Sequence, residues 1–322
     1  MKRYQILALL AALVLLVSAC GRADSTEGGN GQTDPGQGQQ QGDSSVQQTK
    51  EAGSILCRTE KATLRLIKKE DGKWLWREDE SFPLDQACVQ QLLDQVAGLT
   101  QLVPLEQPGE LKEYDLDEPD LYLTVTQPDG SSVTYYLGND VESGGNYMYQ
   151  DGVPEKIYVV PAVWKQLISR SIYDMAVLPQ LPQIDAAQVK SMEVTGAEGT
   201  VPNVLSAKVE EGTVTWKVTG AVELEKTVHL AETLQTLAVD RCVDYAPSSG
   251  AAAVCGLDQP RSVVTVTYTN SVGTESVLTL RLGDACSGGY YVLVNEDTTI
   301  YRLPQTTADM LLALAPEKTE TQ

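Results

Sequence analysis

The chain has 322 residues, 44 of them acidic and 24 basic, for a formal net charge of −20, and it holds a single histidine. A polyanion of this strength is repelled by nucleic acid and by anionic headgroups, which makes the chain a poor candidate for either as a partner. Hydrophobic residues make up 42% of the chain, enough for real cores, and the length suits about two domains.

The first element is N-terminal. Lys2 and Arg3 precede an apolar run from Ile6 to Val17, followed by the small residues Ser18 and Ala19. Positive start, short hydrophobic core and small-residue end predict a secretory signal peptide over 1–19, short for a membrane span. Val17-Ser18-Ala19-Cys20, followed by Gly21, resembles the lipobox of bacterial lipoproteins. That resemblance implies that the Cys20 sulfur receives a diacylglyceryl group and that Cys20 becomes the new N-terminus. Two acyl chains anchor stably where one binds only marginally. The expected location is the extracytoplasmic face of a bacterial cell membrane, with palmitate-type acylation as the anchor. From 20 to 55 the chain is rich in Gly, Gln, Ser and Asp and nearly lacks aliphatic residues, a composition that cannot bury enough surface to fold. It reads as a disordered tether, with an average reach of roughly 30 Å.

Beyond the tether, an internal repeat dominates. Tyr114-Asp115-Leu116-Asp117-Glu118-Pro119 recurs as Cys255-Gly256-Leu257-Asp258-Gln259-Pro260, and Thr124-Val125-Thr126 recurs as Thr265-Val266-Thr267. Leu137-Gly138 matches Leu282-Gly283, Ser143-Gly144-Gly145 with Tyr147 matches Ser287-Gly288-Gly289 with Tyr291, and Tyr158 matches Tyr301. Upstream, Gly72 and Trp76 pair with Gly212 and Trp216.

In the first copy, alternation over 62–68 and 73–77 about Asp71-Gly72 predicts a hairpin. Val89, Leu92, Leu93, Val96 and Leu99 fall at helical spacing and predict a helix over 84–99. Strands are predicted at 121–127, 133–137, 147–150 and 156–160, then a closing helix through Trp164, Leu167, Ile168 and Ile172. The second copy repeats this with strands at 263–268, 277–282, 290–294 and 299–303 and a helix at 307–314. Strand runs beside segregated helices predict an α+β fold: two tandem homologous domains, each a mostly antiparallel sheet with two flanking helices. The Leu178-Pro179-Gln180-Leu181-Pro182 link sets the boundaries at 56–179 and 180–316, with 317–322 a disordered tail.

Lipobox, low-complexity tether and tandem copies carrying Leu-Asp-x-Pro ahead of a strand resemble the bacterial family of domain of unknown function forty-three-forty, over roughly 56–315. Cys255 to Pro260 shows its Gly-Leu-Asp-x-Pro pattern, whereas the first copy places Asp115 where glycine is expected. The resemblance implies a β-rich extracytoplasmic lipoprotein, related to proteins found beside export and gliding-motility ABC transporters. It implies no catalytic residues.

Candidate sites are few. With Cys20 acylated, five cysteines remain, and Cys242 with Cys255, bracketing a short loop, is the disulfide expected, stabilising by about 3 kcal/mol in the chain-entropy model. None is spaced as C-x-x-C, which weakens zinc and redox readings. His229 alone supports no nucleophilic triad. Asp115, Asp117, Glu118 and Asp120 lack an EF-hand frame, and the second copy keeps only Asp258 of them. The motif therefore reads as structural: Leu116 and Leu257 plug the core, Asp117 and Asp258 bond within the turn, Pro119 and Pro260 fix strand entry. The glycine loops read as hairpin connections. Tyr147, Tyr149 and Tyr291 are the candidate binding surface. Neither metal nor cofactor is expected, and the chain reads as a non-enzymatic docking or accessory protein for an envelope assembly such as an ABC-type export system. The alternatives are a cell-wall or glycan binder using the tyrosine-bearing strands and, less favoured, a carboxylate-dependent hydrolase.

Overall fold

The computed structural model describes residues 52–99, 102–196, 198, 200–211 and 213–316. The signal segment, Cys20, the tether up to residue 51, Gly212 and the tail 317–322 lie outside the described residues.

The first sheet has seven strands: β1 (Ser54–Arg58), β2 (Thr63–Lys68), β3 (Trp74–Trp76), β4 (Leu121–Thr126), β5 (Ser132–Asp140), β6 (Asn146–Gln150) and β7 (Ile157–Val160). They lie in the order β3-β2-β1-β4-β5-β6-β7. The second has eight: β8 (Val189–Thr195), β9 (Asn203–Glu210), β10 (Thr213–Thr219), β11 (Arg241–Asp244), β12 (Ser262–Thr269), β13 (Glu275–Cys286), β14 (Gly289–Val294) and β15 (Ile300–Pro304). Their order is β10-β9-β8-β12-β13-β14-β15-β11. The neighbours pair antiparallel, and apart from β11 the two orders are the same. One irregularity coincides as well, a register shift between Leu137 and Asp140 matching another between Leu282 and Ala285, whereas the shift between Thr267 and Tyr268 has no counterpart in the first sheet. Five short helices accompany the sheets: α1 (Gln86–Gly98), α2 (Val163–Ile168), α3 (Leu230–Gln235), α4 (Ala251–Val254) and α5 (Gln305–Leu312). This is an α+β architecture.

Local sequence explains the best-formed helix. Asp85 caps α1 by accepting a bond from the Ala87 amide at 2.9 Å, and Val89, Leu92, Leu93 and Val96 give it one buried face. Each such side chain stabilises by roughly 1.5–3 kcal/mol when fully buried. Gln86 then clasps β3, accepting from the Trp74 amide at 2.8 Å and donating to the Trp74 carbonyl at 3.0 Å. α2 packs against α1 and β4, while α5 packs on β14 and β15 and against α3.

Strand alternation turns Ile55, Cys57, Leu123, Val125, Tyr135, Leu137 and Met148 of the first sheet inward, and Met192, Val194, Val264, Val266, Leu280 and Leu282 of the second. These side chains belong to one continuous buried cluster. β11 makes the junction: it pairs with β15 and packs on the 3-10 turn Ile172–Met175. Arg241 bridges to Asp174 at 3.0 Å, the Tyr245 hydroxyl donates to the Ser81 carbonyl at 3.0 Å, and the Tyr245 ring meets Phe82 edge-on at 5.5 Å.

Four expectations need correction. Strand β1 begins at Ser54, ahead of the expected boundary at 56, and Ala52 is already buried, with Gly53 donating to the Thr126 carbonyl at 2.8 Å. β1 forms a hairpin with β2 through Thr59-Glu60-Lys61-Ala62, a turn without glycine, proline or asparagine to mark it, and its other partner, β4, is distant in the chain. The closing helix of the first half stops at Ile168, because Ser171 and Asp174 form a capping box that starts a separate 3-10 turn. Trp216 is equivalent by register to Trp74 rather than Trp76: Trp74 faces Lys68 and Trp216 faces Ala207 at matching positions. Matching the turn glycines slipped the comparison by two residues, since the two hairpins differ in turn length. Lastly, Cys242 and Cys255 are both free thiols, as are Cys57, Cys88 and Cys286. Cys242 points into the main core, whereas Cys255 joins a separate cluster with Leu257 and Ile300. Chain spacing says nothing about which side of a sheet a thiol enters.

Candidate functional site

The repeated turn motif is a lock on the outer side of each sheet. Asp115 (φ 58°) and Gly256 (φ 66°) occupy the same left-handed backbone position, which Asp tolerates better than most residues with a Cβ. The departure from the family pattern at Asp115 therefore preserves the backbone. Each motif leucine is buried, Leu116 at 0% exposure and Leu257 at 4%, yet neither belongs to the main core. Each seats against the glycine at the strand irregularity. A Cβ on Gly138 would meet the Tyr114 carbonyl and come within 2.9 Å of Leu116, and one on Gly283 would meet the Cys255 carbonyl and come within 3.0 Å of Leu257. The leucines plug the outer side rather than the core proper, a correction only structure can make. Asp258 bonds the Gln259 amide at 2.9 Å, whereas Asp117 has no side-chain bond among the described residues.

The tyrosines nominated from sequence do not form one surface. The Tyr147 ring is covered edge-on by Tyr114 at 4.7 Å, and Tyr291 packs against the cluster of Cys255, Leu257 and Ile300. Tyr149 leaves β6 on the same side as Tyr147, two residues along. It stacks on Tyr136 at 5.1 Å and 23°, and Tyr136 meets Tyr122 at 5.5 Å and 59°. The register explains this ladder, since Tyr122 faces Tyr136 across β4 and β5 and Tyr136 faces Tyr149 across β5 and β6. Sequence reasoning missed Tyr122 and Tyr136 as members because cross-strand register is not periodic information. At 5.1 Å and near parallel, two rings must overlap, so the ladder turns edges and hydroxyl tips outward rather than open faces. Partial burial, then Asp151, pushes the Tyr136 phenol up; Tyr149 is pushed up first by burial, then by Tyr136 and Asp151.

The ladder continues into cations. Arg58 of β1 lies opposite Tyr122, Arg65 of β2 opposite Leu56, and the Arg77 amide donates to the Arg65 carbonyl at 2.9 Å. Arg58, Arg65 and Arg77 are exposed, and Leu56, Ile67 and Leu75 on the same side are half-buried. Over the paired stretches of β1, β2, β4, β5 and β6 no outward-facing position carries an acid, but Asp151, one residue past β6 and bonded through its amide to the Thr134 carbonyl at 2.8 Å, adds an exposed carboxylate beside Tyr136 and Tyr149.

Elsewhere, His229 is exposed beside Glu232 at 3.8 Å. A cavity of about 130 Å³ at the junction is lined by Asp174, Asp240, Arg241 and Arg302, and each carboxylate there is engaged by a guanidinium. A groove of about 540 Å³ between the β2–β3 turn and α1 is lined by Lys68, Lys73, Trp74, Gln86 and Gln90, with Asp71 as its acid.

The sequence profile of one family matches the chain twice, over residues 74–249 and 216–319. The chain belongs to the family described as Domain of unknown function (DUF4340). Both DUF4340 matches begin on the equivalent tryptophans, Trp74 of β3 and Trp216 of β10, in agreement with the strand register. They overlap over 216–249, so the DUF4340 profile does not itself divide the chain at the Leu178–Pro182 link. No curated protein matches the chain.

Proposed function

We propose that this DUF4340 protein is a lipid-anchored, extracytoplasmic docking protein of a bacterial envelope assembly, with an ABC-type export system as the leading candidate. We further propose that its two halves are tandem homologous copies, each a sheet with flanking helices. The observation that carries the reading is the combination of a shared strand order with outer faces of different chemistry. Duplication keeps a scaffold, and a docking role needs one distinctive face on it. The lipobox ahead of Cys20 supplies the anchor in this reading, and the family analogy supplies the export system. The overlapped rings of the ladder give less support to the glycan-platform alternative, which needs exposed ring faces.

The test is palmitate labelling in cells, followed by cross-linking and mass spectrometry, for wild type and Cys20→Ala. Acyl label on wild type alone, with a reproducible envelope partner lost in the variant, is the expected result. Absence of label sinks the anchor, and a labelled protein without any envelope partner sinks the docking role.

A further inference from the structure

Charge is distributed unevenly along this polyanion. The stretch 58–77 holds seven basic and three acidic residues, followed directly by Glu78, Asp79 and Glu80, although the whole chain is at −20. Folding places that stretch on β1, β2 and β3, at one end of the first sheet, and turns Arg58, Arg65 and Arg77 outward beside the Tyr122–Tyr136–Tyr149 ladder. Two cations there have acidic companions: Arg65 bridges to Glu78 at 3.1 Å and Lys69 to Glu80 at 2.7 Å, both pairs well exposed to solvent. Exposed pairs of this kind are weak and exchange readily for another anion.

We propose that the outer face of the first sheet is a docking face for an anionic phospholipid surface. Three features of the molecule select that occupant. The first is charge complementarity at short range. At physiological ionic strength the screening length is about 8 Å, so a contacting surface responds chiefly to the charges of this face, Arg58, Arg65 and Arg77 with Glu78 and Asp151 beside them. The second is the arginine and tyrosine pairing itself: guanidinium heads on apolar stems beside amphipathic rings suit the headgroup layer, where one end of each side chain is wet and the other is not. The third is where the chain outside the structure ends. The expected anchor, Cys20, precedes Ser54 by 34 residues, and Ser54 opens β1, a strand inside this same sheet. A tethered protein that presents a basic, aromatic face lies against its own membrane. The global charge then acts on orientation, turning the second sheet away from the surface.

The inference rests on the anchored reading only for its setting, and its test leaves the acyl group out. The chain from Gly21 onward is mixed with vesicles of phosphatidylcholine alone, and with vesicles containing about one-third phosphatidylglycerol, and binding is read by co-sedimentation. Binding to the anionic vesicles is expected to exceed that to neutral ones by about tenfold or more and to fall steeply with added salt. The variant Arg58→Glu with Arg65→Glu and Arg77→Glu should lose most of that preference, while Arg281→Glu, on the second sheet, should keep it. Circular dichroism confirms folding, and Arg58→Gln alone serves if the triple variant does not fold, with a loss of about threefold expected. Equal binding to both vesicle types, or anionic binding unmoved by the arginine variants, overturns the proposal. So does absence of vesicle binding with retention on poly-glutamate, which assigns the face to an acidic protein. None of these outcomes bears on acylation of Cys20, which the palmitate experiment reads separately.

Discussion

The outer faces of the two sheets can be compared position by position, because the register is the same. Along one row the first sheet carries Arg58, Tyr122, Tyr136 and Tyr149; the second carries Thr195, Val263, Arg281 and Leu293. In the next row Arg65, Leu56, Thr124 and Thr134 become Val204, Glu193, Thr265 and Thr279. Only the paired threonines persist there, and in the first sheet Thr124 and Thr134 bond each other at 2.9 Å. The inward rows remain apolar in both. A sheet face that packs on helices is constrained by volume, whereas the opposite face of the same strands is free to diverge. The difference also extends to the edges. Beyond β7 one bond from the Leu105 amide to the Ile157 carbonyl (2.8 Å) holds the neighbouring segment, whereas beyond β15 a full strand, β11, is laid down and becomes the junction.

The largest expected effects test what the halves share. Gly138→Ala and Gly283→Ala each drive a methyl group into a carbonyl oxygen of the turn motif, and each should cost about 3 kcal/mol or more in chemical denaturation. A large loss in one half only would break the equivalence. Leu116→Ala and Leu257→Ala should cost about 2–5 kcal/mol each, as buried leucines do when a cavity is left. The faces should then separate. Tyr136→Ala removes two ring contacts and should cost about 1–3 kcal/mol, whereas Arg281→Ala at the equivalent position should stay within about 0.5 kcal/mol. Equal losses would mean that the ladder adds nothing beyond ordinary surface. At the junction, Tyr245→Phe removes one hydrogen bond and should lower the unfolding free energy by about 0.5–1.5 kcal/mol in chemical denaturation.

Two chemical probes sharpen the picture further. All five described cysteines should titrate as thiols in the unfolded protein, and Cys57, buried and with its thiol pushed up to about 12, should resist maleimide longest in the folded one. A count of three thiols would show one disulfide, and peptide mapping would then decide whether it joins Cys242 and Cys255. Burial, then the bond to Asp297 at 2.8 Å, pushes the Tyr301 phenol up to about 12. A folded value above the unfolded one, about 10, means stability that is complete below about pH 10 and is lost as pH rises through about 12. Alkaline unfolding should therefore be less steep in Tyr301→Phe, and unchanged steepness would show that this phenol is not the group responsible.

Much of the scaffold was legible in the residues themselves. Helical spacing from Val89 to Val96, the hairpin turn at Asp71-Gly72, and the recurrence of Leu116-Asp117 as Leu257-Asp258 are local signals, and each maps onto α1, a strand connection or the outer lock. β11 was not legible because its partner β15 lies far along the chain, and β1 and β8 were not because the turns that join them to β2 and β9 are not marked as two-residue glycine or asparagine hairpins and their other partners are distant. The candidate surface was half legible: Tyr149 stood out, but its companions Tyr122 and Tyr136 and the neighbouring Arg58 come from three other strands.

The sequence by itself determined the repeat, the turn chemistry, the helix faces and the family, since each is written in residues close together or in a pattern seen twice. Tertiary structure alone decided which thiols share a compartment, that Leu116 and Leu257 seal the outer side, and that a strongly acidic chain presents one basic, aromatic face. Those are properties of register and of sheet side, and both are fixed by pairings between segments far apart in the chain.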